Sequence, residues 1–296
     1  MDRGWPGFDK SSVERLVALQ FPEFAGLAIT RVQPGGWDNL TFRLGDDLSV
    51  RFPSAERYAP QIAREAIAFE ALAGRLSFAI PSRVRTGVAG NEYPYDWAIN
   101  RWLEGVPASA SIGSRSTGFA QGCGHLLSEL QKTSPSSHLP PDAGNFHRGG
   151  SLQRYDAEVT EALARLDDAA LAIRAEMLWQ QAVSSEWDGI PRWVHGDFFP
   201  WNLLVDCSGQ LSGVIDWGLV AVGDPACDLA TAWTCFDAAQ REAFRDILAP
   251  DQGTWHRGRG WSLWKALTLA TGVNQGPPED VAQSRAVLDR ICTDDA

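Results

Sequence analysis

Lysine is scarce in this chain. Of 26 basic residues only Lys10, Lys132 and Lys265 are lysines. None falls in a strand expected in the first third, so an anion grip there has to come from arginine. Cysteine is sparse as well. The five, at positions 123, 207, 227, 235 and 292, are scattered and odd in number and form no C-x-x-C pair. That pattern argues against a zinc site or a disulfide framework and fits a reducing cytoplasm. No apolar run approaches the length of a membrane span, and Met1-Asp2-Arg3-Gly4-Trp5 lacks a signal peptide's apolar core. Excess positive charge is missing too: the net charge is −11. Nucleic acid is therefore not an expected partner, because phosphate backbones select basic surfaces. An acidic field is compatible with a cationic substrate, and equally with simple solubility.

What is present fits a globular enzyme. At 296 residues, 44% of them hydrophobic, the chain can hold one large domain or two lobes with sizeable cores. No internal repeat occurs. Ser11-Ser12-Val13-Glu14 matches a capping box for a helix running toward Phe21. Strands are expected at 27–33, 39–44 and 48–52, as an antiparallel meander with turns at Pro34-Gly35-Gly36 and Gly45-Asp46-Asp47. A helix follows over 61–76, with further strands near 82–85 and 97–102. Glu104-Gly105-Val106-Pro107 reads as the crossing between a first lobe, 1–103, and a second, 104–296. The second lobe is expected to be mostly helical, with helices near 117–132, 152–166, 171–184, 225–233, 238–248, 258–271 and 280–291. Residues 134–150 read as a long surface loop, in which Asn145, His147 and Arg148 are packing groups before they are substrate contacts.

Two runs carry the chemistry. The first is Val194-His195-Gly196-Asp197-Phe198-Phe199-Pro200-Trp201-Asn202, the second Val214-Ile215-Asp216-Trp217-Gly218 with Gly223-Asp224-Pro225-Ala226-Cys227-Asp228 after it. Asp197 and Asn202 are five positions apart and Asp216 follows fourteen further on. Kinases use an Asp, an Asn and an Asp in this order as base, metal ligand and second metal ligand. The spacing also makes structural sense. Residues 203–205 and 211–215 read as a hairpin turning at Cys207-Ser208-Gly209-Gln210, which returns Asp216 to the end where Asp197 and Asn202 sit. Asp224 before Pro225 reads as an N-cap with Pro at the first helical position. Asp228, one turn in, is also placed to favour the positive end of that helix.

His-Gly-Asp-x-x-x-x-Asn, Ile-Asp-x-Gly and the following Asp-Pro-x-x-Asp-Leu-Ala resemble the marks of the aminoglycoside phosphotransferase family, relatives of choline kinase and the protein kinases. The resemblance covers nearly the whole chain and is most specific in its second half. It implies an α+β, protein-kinase-like bilobal fold, with an antiparallel sheet lobe followed by a mainly helical lobe. It implies that Asp197 is the catalytic base, that Asn202 and Asp216 hold Mg²⁺, and that His195 and Asp228 support the catalytic loop. Gly35 and Gly36 lie where a glycine loop covers the phosphates, with Asn39 close behind. Arg51 stands where kinases place a phosphate-gripping Lys, and Glu65 is its helix partner, with Glu70 in reserve. Asn100, Arg101 and Trp102 fall in the linker strand beside the base, where backbone groups would read its edge. Trp201 and Trp217 flank the motifs and are candidates to shape the pocket.

The expected activity is transfer of the γ-phosphate of ATP, with GTP as the alternative nucleotide, to a hydroxyl of a small molecule such as an aminoglycoside or related amino sugar. The acidic tail, Asp294-Asp295-Ala296, is a frayed end before it is part of a cationic substrate cleft. Two other readings stay open. A nucleotide-binding pseudokinase that regulates a partner is favoured only by Arg51 replacing the usual Lys. A metal-dependent hydrolase would use the same carboxylates without an acceptor.

Overall fold

The computed structural model describes residues 8–293, apart from Pro34, residues 112–115, Ser137 and Pro277. The acidic tail and the first seven residues, on which two of the expectations fall, lie outside the described part.

The first lobe is a five-stranded antiparallel sheet with one helix before it and one within it. Helix α1 (Lys10–Gln20) buries Ser12, Val13, Leu16 and Val17 on one side. Its cap is Asp9 rather than Ser11: the Asp9 carboxylate accepts the Ser12 N–H at 3.0 Å, and the Ser11 hydroxyl itself donates to Asp9. An ionised carboxylate is the stronger acceptor and suits the positive helix end. Strands β1 (Ile29–Arg31), β2 (Asn39–Leu44) and β3 (Leu48–Pro53) form the expected meander. Helix α2 (Gln61–Leu72) follows, then β4 (Arg83–Gly87) and β5 (Trp97–Arg101). The spatial order is β1-β2-β3-β5-β4, so β4 is an edge strand and β5 lies between it and β3. Helix α2 stops four residues earlier than its pattern suggests. Ala73 turns extended there, and the chain runs on to Ala79, which bridges to Gly213 of the second lobe.

The second lobe opens with β6 (Val106–Pro107), which pairs with β8 (Leu203–Val205) of the hairpin completed by β9 (Leu211–Val214). Short strands β7 (Arg192–Val194) and β10 (Ala221–Gly223) pair with each other. The helices are α3 (Thr117–Lys132), α4 (Asp156–Ala164), α5 (Ala169–Ser184), α6 (Thr231–Thr234), α7 (Ala238–Leu248), α8 (Gln252–Ala270) and α9 (Pro278–Thr293). A 3₁₀ segment, Pro225–Ala230, precedes α6 where one continuous helix was expected. The Asp237–Gln240 capping box of α7 is present. Helix α8 begins six residues before its expected start, capped by Asp251, whose side chain accepts the Thr254 N–H, and it carries Gly253, Gly258 and Gly260. Two of them are required by contact: a Cβ on Gly258 would lie 2.6 Å from Leu229, and one on Gly260 2.5 Å from Ala182.

Two cores result. The smaller packs Val13, Leu16, Phe42, Val50, Phe52 and Trp97 between α1 and the sheet, with Phe52 stacked on Trp97 at 5.0 Å. The larger joins the helices and includes Trp193, Trp217, Trp233 and Trp255. Ala68, Phe69, Ala71 and Leu72 of α2 belong to this second core, although their place in the sequence is the first lobe. Helix α2 is thus shared, and no single point in the chain divides the cores. No described helix is long and apolar enough to cross a membrane.

Candidate active site

The loop after β7 is held from beneath by one carboxylate. Asp228, 2% exposed, accepts the His195 N–H at 2.7 Å and the Gly196 N–H at 2.8 Å. The tight 3₁₀ winding of 225–230 presents it sideways to the loop, so Asp228 acts as a brace rather than as a dipole partner. Burial pushes its carboxyl up to about 7 against the pull of those two N–H groups. Gly196 has φ +82°, and a Cβ there would lie 2.2 Å from the Leu219 carbonyl oxygen, so no other residue fits.

His195 is fully buried. Its Nδ1 lies 3.2 Å from the Asp197 N–H and its Nε2 3.0 Å from the Ile215 carbonyl. Those partners assign a neutral ring protonated on Nε2. Burial lowers its pKa and keeps it neutral, in spite of nearby Asp197 and Asp216. Both nitrogens are committed, so His195 supports the loop and is not free to take a proton from a substrate. Trp217 packs edge-on against it with ring centroids 4.7 Å apart, 0% exposed, with Nε1 donating to the Val214 carbonyl. It is a wall of the core, not of a pocket. Trp201, 37% exposed, stays at the surface.

Asp197 and Asn202 meet directly. The Asn202 amide donates to Oδ2 of Asp197 at 2.8 Å and to its carbonyl at 2.9 Å. The Asn202 carbonyl accepts the Ile215 N–H at 2.9 Å, which brings the next residue, Asp216, to the same end of the hairpin. Asp216 has φ 63° and ψ 64°, a left-handed backbone that a non-glycine residue holds at a cost of about 1–3 kcal/mol. That turn aims its side chain at the first lobe, where Oδ1 accepts Nη2 of Arg51 at 2.5 Å.

Arg51 sits in β3 opposite Thr41 and Ala98 and is 9% exposed. Its Nη1 pairs with Oε1 of Glu65, which is 1% exposed on α2. Burial works against the charge on Arg51, but Asp216 and Glu65 outweigh it and raise its pKa. The partner is therefore Glu65 and not the reserve Glu70.

Three residues around the site, Arg83, Asp38 and Arg64, carry no signal in the sequence. Arg83 of β4 donates to Oε2 of Glu65 at 3.2 Å and to the Asn100 side chain at 2.7 Å. Asp38, just before β2, accepts Nε2 of Gln61 at 2.8 Å, and burial together with Asp216 pushes its carboxyl up to about 7. Arg64, next to Glu65, turns the other way and reaches the Val220 and Pro140 carbonyls at 3.2 and 2.8 Å and Asp142 at 2.9 Å. Asn145, fully buried, donates to the Leu219 carbonyl at 3.1 Å. The long loop thus props the Asp216 segment, and Asn145 is a packing group.

The base-reading expectation changes in detail. The Asn100 side chain is 1% exposed and faces Arg83. The N–H groups of Arg101 and Trp102 are taken by the Ser82 and Asp47 carbonyls at 2.9 and 2.8 Å. This follows from the sheet order, which puts β4 and the β2–β3 turn beside the end of β5. Backbone donors for a base would have to come from beyond Trp102. Gly35 and Gly36 are exposed in the loop between β1 and β2, and Asn39 is buried with Oδ1 unpaired.

Among the described residues no three His, Cys, Asp or Glu side chains converge as a metal site. Asp216 spends Oδ1 on Arg51 and Asn202 donates through Nδ2, which leaves Oδ2 of one and Oδ1 of the other as hard donors. Two protein oxygens fit Mg²⁺, which is usually held by one or two carboxylates with water and substrate phosphate rather than by a full protein cage.

The Phosphotransferase enzyme family matches residues 29–261 of the chain. The solved GDP and kanamycin complex of APH(2")-IIia is similar over 97% of this chain and 100% of that one, with a TM-score of 0.74 at 17% identity. A macrolide 2'-phosphotransferase type I is similar over 95% and 98%, with a TM-score of 0.65 at 21% identity. These likenesses show the protein-kinase-like fold. The uncharacterized protein YcbJ of Bacillus subtilis (strain 168) is 34% identical over 86 residues, 28% of this chain and 26% of that protein. The match spans about a quarter of that relative's length.

Proposed function

Because the chain belongs to the Phosphotransferase enzyme family, we propose that it moves the γ-phosphate of ATP to a hydroxyl of a small molecule with the help of Mg²⁺. An aminoglycoside or a related amino sugar is the acceptor class, in keeping with the acceptors named for its structural neighbours. The single observation that carries this reading is the joining of Asp197, Asn202, Asp216, Arg51 and Glu65 at the junction of the lobes.

Asp197 orients the acceptor hydroxyl and takes its proton; Asn202 holds the carboxylate in place by its amide. Asp216 and Asn202 would hold Mg²⁺, which would supply neutralisation of charge on the phosphoryl oxygens. Arg51 grips the phosphates through its planar fork, and Glu65 fixes that fork. The Gly35-Gly36 loop covers the phosphates with backbone alone. The same binding works with GTP as the phosphate donor. The protein acts in the cytoplasm as a soluble enzyme. Arg51 reaches both Glu65 and Asp216, so the replacement that motivates the regulatory alternative carries the contacts a phosphate-gripping residue needs.

The test is Mg²⁺-dependent nucleotide consumption across a panel of amino sugars and macrolides, with Asp197→Asn as control. Loss of turnover by about a hundredfold or more at retained nucleotide affinity is expected for that variant. Turnover by Asp197→Asn at the wild-type rate overturns the assignment. Phosphate released with no acceptor modified points to the hydrolase instead.

A further inference from the structure

Glu65 is a buried carboxylate with two arginines on it. Its Oε1 pairs with Nη1 of Arg51 and its Oε2 with Nη2 of Arg83, at 3.2 Å. Arg83 is itself fixed from behind: Nε donates to Asn100 Oδ1 at 2.7 Å, Nη2 to the Ile62 carbonyl at 3.1 Å and Nη1 to the Thr86 hydroxyl at 3.2 Å. Its side chain is 12% exposed. A kinase-type helix glutamate needs one cation, and the second has no role in the reaction as described above.

The geometry of the fork supplies one. A carboxylate facing a single guanidinium takes it bidentate, oxygen to nitrogen on both sides. Were Glu65 alone with Arg51, both terminal nitrogens of Arg51 would be drawn to it, because a buried carboxylate oxygen without a donor is costly. Arg83 satisfies Oε2, with the Asn100 side chain that it holds also bonded to the carboxylate, so Arg51 binds Glu65 by Nη1 only and its Nη2 extends to Asp216. Asp216 is the more exposed of the two acids, with 31% of its side chain accessible against 2% for Glu65. It is the contact that can be exchanged.

We propose that Arg83 is a positioning residue: by occupying one oxygen of Glu65 it keeps one arm of Arg51 free to pass from Asp216 to the phosphates of an incoming nucleotide. The proposal rests on the phosphotransferase reading. It predicts that Arg83 contributes to binding of phosphates and not of the base, although it touches neither.

Calorimetric titration of Mg²⁺ with a non-hydrolysable ATP analogue, and separately of adenosine, tests this on wild type, Arg83→Ala, Arg83→Gln and Arg83→Lys. The ratio of the two affinities in wild type measures the phosphate contribution. Arg83→Ala and Arg83→Gln are expected to reduce that ratio about tenfold or more, the effect of one charged hydrogen bond, with adenosine affinity unchanged. Arg83→Lys, which keeps the charge on Glu65, restores part of it. Arg83→Gln is read where Arg83→Ala does not fold. An unchanged ratio in Arg83→Gln overturns the proposal, and so does an equal loss for adenosine and nucleotide, which marks a purely structural role. Wild type that fails to bind the analogue overturns the proposed function itself, a result distinct from wild-type binding with an unaffected variant.

Discussion

The brace beneath Asp197 and the ion cluster beside it follow opposite rules. In the brace, one buried carboxylate, Asp228, meets two backbone N–H groups. Backbone groups on a loop closed by Gly196 have nowhere else to turn. In the cluster, Arg51, Arg83, Glu65 and Asp216 are all side chains, and Arg51 divides its nitrogens between two acids. The brace can hold only one geometry, whereas the cluster can trade partners without breaking. A phosphotransferase needs both: a fixed point for the acceptor hydroxyl and a grip that gives way and closes again on each nucleotide.

The comparison can be broken from the rigid side first. Gly196→Ala should have the largest effect, because the added Cβ would meet the Leu219 carbonyl at 2.2 Å at a φ of +82°. A loss of about 3 kcal/mol or more in urea unfolding is expected. A wild-type midpoint would show that the loop can shift, and the contrast would fail. Asp228→Asn comes next. Its amide can accept only one of the two N–H groups, at a cost of about 1–3 kcal/mol. Turnover should fall while nucleotide affinity holds. A drop in affinity instead would mean that the brace and the cluster are not separate.

The smallest effect concerns Asp38 and sharpens the picture at the edge of the cluster. Its carboxyl lies near 7 in the fold against the ordinary 3.8, raised first by burial and then by Asp216. An acid raised in the folded state stabilises most below its unfolded pKa, and this contribution is lost as pH climbs from about 4 to about 7. Asp38→Asn keeps an acceptor for Gln61 and removes the charge. Without divalent cations, its stability relative to wild type should therefore rise between pH 4 and pH 8. A difference that stays flat with pH would show that Asp38 is ordinarily ionised.

The legible parts of this protein are the local ones. The hairpin of 203–214 returns Asp216 to Asn202 through the Ile215 N–H on the Asn202 carbonyl, a contact local to that one hairpin, so spacing alone could place them. Arg51 is legible because the meander fixes its strand, whereas the choice of Glu65 over Glu70 needs the packing of α2 on the sheet. Other residues depend on contacts that no spacing encodes. Arg64 reaches Val220 across 156 positions, Asn145 reaches Leu219 across 74, and Arg83 meets Glu65 only because β4 lies at the sheet edge beyond β5. The segment leading into β4 takes the N–H of Arg101, and the β2–β3 turn takes that of Trp102, so neither is open to a base. The cap of α1 is Asp9 and not Ser11, because the carboxylate two positions earlier is the better acceptor.

Helix α2 presents Glu65 to the sheet and Arg64 to the helical lobe, where it holds two carbonyls and Asp142. Swinging that helix outward would tear all three contacts and pull Phe69 and Leu72 from the larger core. Withdrawing the glutamate by moving α2 would therefore also break contacts that the helical lobe depends on.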